Sequence, residues 1–438
     1  MKRILISIGA ALVLIIGLIH VVFLIAGIDI SPPDTKDLVP ERMALPPEQN
    51  AYTYFNEATN VFYWPTNAFP LVDDYLDGSN VDAAVVEGIL ARNATTLEAI
   101  EKGLKCRKCF VSELTNSYTP TPYLGTWKEI GKVMALKTRH DRLAGRYAEA
   151  TRTCISLLQF ADMIQRDAEG ILHYLVGAVL LELDLIQAQD LARDKSIPQN
   201  ELTRLSEALA SLGPFDRGFV RAIKVEYRGL ANNVDGIRDG KFGIDDPGVA
   251  EQAMWAWKWI PSYLFQPNRT KATFANLYRT TITNASLPYA SIDHQDIKEI
   301  LGLKGGTAML VSRPNVLGRM LFGCMLPALD NTLEFKCRAE CNVAATRLII
   351  ACNTYERKEG KLPDSLQSLV PVYLPAVPND PFDGKPFRYS SSKGIVYSVG
   401  KDLKDSGGST NTPYSYAGFW RAEDAVFEIN DRTGQTSL

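Results

Sequence analysis

Seven cysteines hold the most latent chemistry in this 438-residue sequence. Two of them form a C-x-x-C, Cys106-Arg107-Lys108-Cys109. That spacing suits a redox dithiol, half a metal site or a local disulfide. A redox pair of the thioredoxin type needs a preceding strand and a βαβ setting. Here the flanks read as helix and loop. Phe110 stands where haem attachment requires a histidine. A zinc site would have to recruit Cys337 and Cys341, a C-x3-C pair without a matching histidine. A structural disulfide or plain thiols come first, redox chemistry second and zinc third.

Other chemistry-bearing residues are scattered. No H-E-x-x-H, G-x-S-x-G or Walker loop occurs. Ser390 to Lys393 fits S-x-x-K, but it falls in a hairpin turn, and no S-D-N or K-T-G follows. His140 and His173 sit alone on helices. His294 lies beside Asp293 and Asp296 without further partners. The Asp/Gly-rich loop at 233–248 lacks the D-x-D-x-D-G spacing of a calcium loop. Met254 to Phe265 holds Trp255, Trp257 and Trp259, an aromatic run suited to a membrane interface, a glycan or a partner, or to a helix packed in the core. No catalytic constellation emerges. Two enzyme alternatives stay open: an envelope hydrolase with a cleft between a helical and a C-terminal domain, and a thiol redox protein using Cys106 and Cys109.

The elements that must position these residues are mostly helical. Net charge is −3 and no basic arm exists, which excludes nucleic acid as a partner. Lys2 and Arg3 precede an apolar run from Ile4 to Ile28, interrupted by Ser7 and His20. At about 1.5 Å per residue it exceeds a hydrocarbon core of about 30 Å. Positive charge before the run and Asp29 and Asp34 after it predict a single-pass anchor in the cytoplasmic membrane. The N-terminus stays inside and the bulk of the chain is extracytoplasmic. Residues 31–50 hold five prolines and read as an extended spacer. Residues 51–310 read as a helical domain. Ala51 to Pro70 supplies a helix with an aromatic face, Val81 to Leu104 one helix, and Thr126 to Asp194 three helices. Gly145 to Ala150 forms an αα-hairpin junction. Further helices run over Gln199–Leu212, Phe215–Asn232, Asn268–Asn284 and Ser291–Leu303. A buried helix from Val316 is kinked at Pro327 and continues from about Asn331 to Lys358. Cys341, Ala345, Leu348, Cys352 and Tyr355 share one face of it. Gly360 closes it and Pro363 forbids its resumption. Pro386–Ser390, Ile395–Val399 and Ala425–Ile429 are three short strands, the first two joined by a turn at Ser391–Gly394.

From Cys341 onward the chain resembles the periplasmic domain of the major pseudopilin of type II secretion. A helix ends in Tyr355. Gly360-Lys-Leu-Pro363 is similar to the family's G-x-Y-P, Asp380-Pro-Phe382 to its D-P-W turn, and Gly384-Lys-Pro-Phe-Arg-Tyr389 to its G-x-P-Y-x-Y strand. Tyr397-Ser-Val-Gly-Lys-Asp402 with Gly407-Gly408 resembles its S-x-G-x-D…G-G loop. The resemblance implies an α+β module over the C-terminal part of 311–438. It also implies a calcium loop using Asp402, with Asp405 nearby and Gly407 and Gly408 shaping the turn. The family's further aspartate is absent from Ser409 to Tyr416. The family's processing site and early glutamate are absent from the N-terminus, so a polymerising pilus subunit is not expected. The expected whole is a mainly α protein. It has a transmembrane helix at 1–30, a helical body with αα-hairpins and a small C-terminal α+β domain with an antiparallel sheet. Its expected role is structural or interactive, with other envelope proteins as partners and a link to secretion or pilus-like assembly.

Overall fold

Asn50 starts the body. Its side chain accepts from the amide of Tyr52 at 3.2 Å and so caps helix α1, Ala51–Val61. The computed structural model describes residues 14–15, 17–18, 21–22, 24–41, 45–65, 68–79, 81–111, 121–238, 262–293, 313–412 and 418–430. At 68–69, 322–328 and 330 it describes the backbone alone. Over these residues the protein is mainly helical with one small antiparallel sheet. As the aromatic pattern predicts, α1 buries Phe55, whose ring meets Trp127 edge-on at 5.7 Å and Phe160 at 4.7 Å.

After α2 (Ala68–Leu76), the helix expected over Val81–Leu104 is two helices, α3 (Ala83–Arg92) and α4 (Ala94–Leu104). Asn93 makes the break. Its buried amide donates to the carbonyls of Ile89 and Tyr63, and its oxygen accepts from the Tyr63 amide. A short polar side chain that bonds nearby backbone competes with the helical ladder.

Helices α5 (Tyr123–Leu143), α6 (Tyr147–Arg166) and α7 (Ile171–Arg193) pack side by side. Gly145, at φ +72°, makes the predicted α5–α6 junction. Among the described residues, α7 is the helix long and apolar enough to cross a membrane. Its apolar window is 56% buried inside the fold, which marks a core helix. Helices α8 (Gln199–Ser211), α9 (Phe215–Arg238) and α10 (Pro267–Asn284) complete the body.

Helix α11, Val316–Glu359, is 44 residues long and runs through Pro327 without ending. It packs on α7, α8 and α10 and reaches the sheet. Cys341, Ala345, Leu348 and Cys352 are buried on it as the spacing predicts, and Gly360 closes it at φ +78°. Strands β1 (Arg388–Ser390), β2 (Ile395–Ser398) and β3 (Ala425–Glu428) form a sheet in that order. Tyr389 pairs with Val396, and Val396 with Phe427. The central β2 is buried at every position. One apolar core runs from Leu38 through the helices to Ile429, so the helical body and the α+β module share it.

The segment 31–50 departs from the expected free spacer. Leu38 is buried in the core. Arg279 pairs with both carboxylate oxygens of Asp37 at 2.7 Å and donates to the Asp34 carbonyl at 2.8 Å. Arg221 donates to the Glu41 carbonyl at 2.8 Å. The segment holds two short 3-10 turns, Lys36–Leu38 and Pro47–Gln49, and these contacts lay it on the body.

Candidate functional site

The C-terminal loops are organised around two buried aspartates. Asp380 opens the turn that leads into β1. Its carboxylate accepts from the amides of Phe382 and Val399 and from Ser398 Oγ, at 2.8–3.0 Å. Arg388 bridges Asp380 and Asp383. Burial pushes the Asp380 carboxyl up, against the opposing pull of those donors. The hydrogen bond from Arg388 holds Asp383 below its usual range. This is the D-P-F segment of the sequence, and it ties the start of the sheet to its centre.

Asp424 stands at the entry to β3. It is fully buried, and its carboxylate accepts from the amides of Ser406, Gly408 and Ser409, the last two at 2.8 and 3.1 Å. The loop of Gly407 and Gly408 therefore wraps around a carboxylate. Gly407 and Gly408 adopt φ of +69° and +77°, backbone that a β-carbon disfavours. Sequence reasoning sought the loop's second acid between Ser409 and Tyr416. It missed Asp424, whose signal is an acid standing directly before a strand.

Asp402 and Asp405 do not converge on a common point. Asp402 is exposed and accepts from the amide of Lys404 at 3.0 Å, closing its own turn. Asp405 accepts from Tyr397 Oη at 3.2 Å and from the Gly407 amide at 3.0 Å, and faces Arg388 at 3.7 Å. Calcium takes six to eight oxygens, whereas this loop turns amide N–H groups inward onto Asp424. No group of three or more His, Cys, Asp or Glu suited to a metal forms among the described residues.

The cysteine pair lies just beyond α4. Cys109 is buried and its amide donates to Asp167 Oδ2 at 2.9 Å. Burial and the nearby Asp167 push its thiol well up, and burial also raises Cys106. A redox dithiol needs the opposite shift, toward the thiolate. Cys337 and Cys341 are buried on α11, and all six described cysteines are free thiols. Of the two readings placed first, a structural disulfide or plain thiols, Cys106 and Cys109 take the second.

Trp255, Trp257, Trp259, His294 and the loop from 239 onward lie outside the described residues. His140 stands 3.7 Å from Glu87. His173 is buried, its Nε2 lies 2.8 Å from Tyr123 Oη, and burial lowers it to about 4. It is a neutral core histidine paired with a phenol.

The first helical residues meet the body at one junction. The described positions up to Ala26 are helical, with Leu14, Leu18 and Leu24 standing 74%, 67% and 59% exposed. Gln266 Nε2 donates to the Ala26 carbonyl at 2.7 Å. Asp29 accepts from the amides of Asn268 and Arg269, at 2.7 and 3.0 Å, and so caps α10. The Gln266 amide in turn donates to Asn315 Oδ1 at 2.9 Å, directly before α11.

No known protein family matches this chain, and neither a curated protein nor a solved structure matches it.

Proposed function

We propose that this protein is a membrane-anchored, extracytoplasmic interaction protein of the bacterial envelope. The helical body and pseudopilin-like module would engage other envelope components in a secretion-type or pilus-like assembly. One observation supports this reading above the rest. An exposed apolar helix enters the body through the Ala26–Asp29 junction and is joined there to the starts of α10 and α11. Exposed leucines at helical spacing are costly in water and favourable in hydrocarbon. The charge pattern of Lys2, Arg3, Asp29 and Asp34 supports an extracytoplasmic body. The motif order from Gly360 to Gly408 supports a module related to envelope assemblies.

The test is fractionation with a topology reporter. The chain should stay in the membrane pellet after alkaline carbonate extraction and leave it with mild detergent. A C-terminal alkaline phosphatase fusion should be active. Release by carbonate, or an inactive fusion made in normal amounts, rejects the reading. Mild-detergent purification should then bring down envelope proteins in stoichiometric amounts, and a clean lone chain counts against the interaction role.

A further inference from the structure

A groove of about 700 Å³ opens between the α3–α4 pair and the α5–α6 hairpin. Its volume lies within the range of small-molecule sites. Leu90, Ala94, Leu97 and Met134 give it an apolar floor, with Met134 buried at its base. Lys102, Lys105, Lys137 and Arg152 stand along it, with Glu98 and Glu101.

The charges divide by what they already bind. Glu101 accepts from Ser156 Oγ at 2.6 Å, and Lys137 is paired with Asp141. Lys102, Lys105, Arg152 and Glu98 are exposed and form no ion pair with a described residue, three cations against one carboxylate. The two lysines belong to the last turn of α4 and the residue after it, while Arg152 comes from α6. Three cations from two elements therefore overhang one apolar floor. A neutral hydrocarbon would leave the cations unused, and a compact polar anion would leave the floor wet.

We propose that this groove binds a single-chain amphipathic anion, an acyl chain ending in a carboxylate. The chain lies over Leu97 and Met134, and the head is held by Lys102, Lys105 and Arg152. Burying apolar chain on the floor supplies affinity at about 25 cal/mol per Å² removed from water. The charge-assisted contacts at the rim set the polarity of the ligand. One floor and one cationic rim match one chain and one head.

The test uses the full-length chain in lipid nanodiscs and a photoreactive twelve-carbon carboxylic acid bearing a diazirine near its tail. Irradiation followed by peptide mapping should place the label on residues 94–104 and 123–143. Labelling there should fall at least tenfold in Lys102→Glu/Lys105→Glu/Arg152→Glu, and equally when the probe is the matching alcohol. Leu97→Trp fills the floor and should abolish the label while leaving the melting temperature within a few degrees. The triple variant changes only exposed side chains, so it decides the matter if Leu97→Trp fails to fold. Three outcomes overturn the assignment: label confined to residues 14–28, label on the groove unchanged by charge reversal, or stronger groove labelling by a two-chain phosphatidic acid analogue. These readouts concern the groove alone and stay separate from the fractionation that tests the anchor.

Discussion

Three amides converge on Asp424. Asp424→Ala takes the acceptor from the half-buried amides of Gly408 and Ser409 and from the exposed amide of Ser406, a combined penalty of about 1–3 kcal/mol before water or the loop compensates. Urea unfolding of the variant should show a loss in that range. Asp402→Ala, at an exposed turn, should stay within about 0.5 kcal/mol of the parent. Equal losses at both positions would contradict the geometry. His173 gives the second residue-scale prediction. Its folded-state pKa is lowered to about 4, whereas an unfolded histidine titrates near 6.5. Between those values the unfolded chain binds more protons, so stability falls as pH drops from about 6.5 and levels off below about 4. At 1.36 kcal/mol per unit the loss approaches about 3 kcal/mol. His173→Gln should flatten that limb of the stability–pH curve, and an unchanged slope would assign it to other groups.

Between elements, close approach is bought with glycine. A β-carbon at Gly218 of α9 would sit 2.2 Å from the Gln165 carbonyl oxygen and 3.0 Å from Arg166 Cα, both backbone atoms of α6. Gly218→Ala should therefore cost about 1–3 kcal/mol by overpacking, despite alanine's better helix propensity. Gly88→Ala in α3 meets nothing within 4 Å and should stabilise by up to about 1 kcal/mol. Thermal unfolding of the two variants should move in opposite directions. Much at this scale was legible in the sequence. The α5–α6 junction, the buried face of α11 and all three strands follow from periodicity and turn residues. The break at Asn93 was not legible, because an asparagine inside an apolar-periodic run stops a helix only when Tyr63 arrives from elsewhere to meet it. The candidate site fared worse for the same reason. Asp402 and Asp405 matched a local pattern, while the acid that organises their loop lies across the sheet. The groove beneath Lys102 and Arg152 joins helices whose adjacency no local pattern reports.

For the molecule as a whole, the segment from 31 to 41 lies against α9 and α10. Arg279→Ala combined with Asp29→Ala removes the paired contact to Asp37 and the cap on α10. Limited trypsin digestion should then cut at Lys36 much faster than in the parent chain. Equal cutting rates would mean that Leu38 and the Arg221–Glu41 contact suffice to hold the segment. The length of α11 has a consequence of its own. Its 44 residues, at about 1.5 Å each, make a strut of about 66 Å. One end meets the Ala26–Asp29 junction through Asn315 and the other underlies β2 and β3. In an anchored chain such a strut fixes a working height. In the anchored arrangement proposed above, the strut carries the sheet away from the bilayer, while the starts of α10 and α11 stand beside the anchor junction.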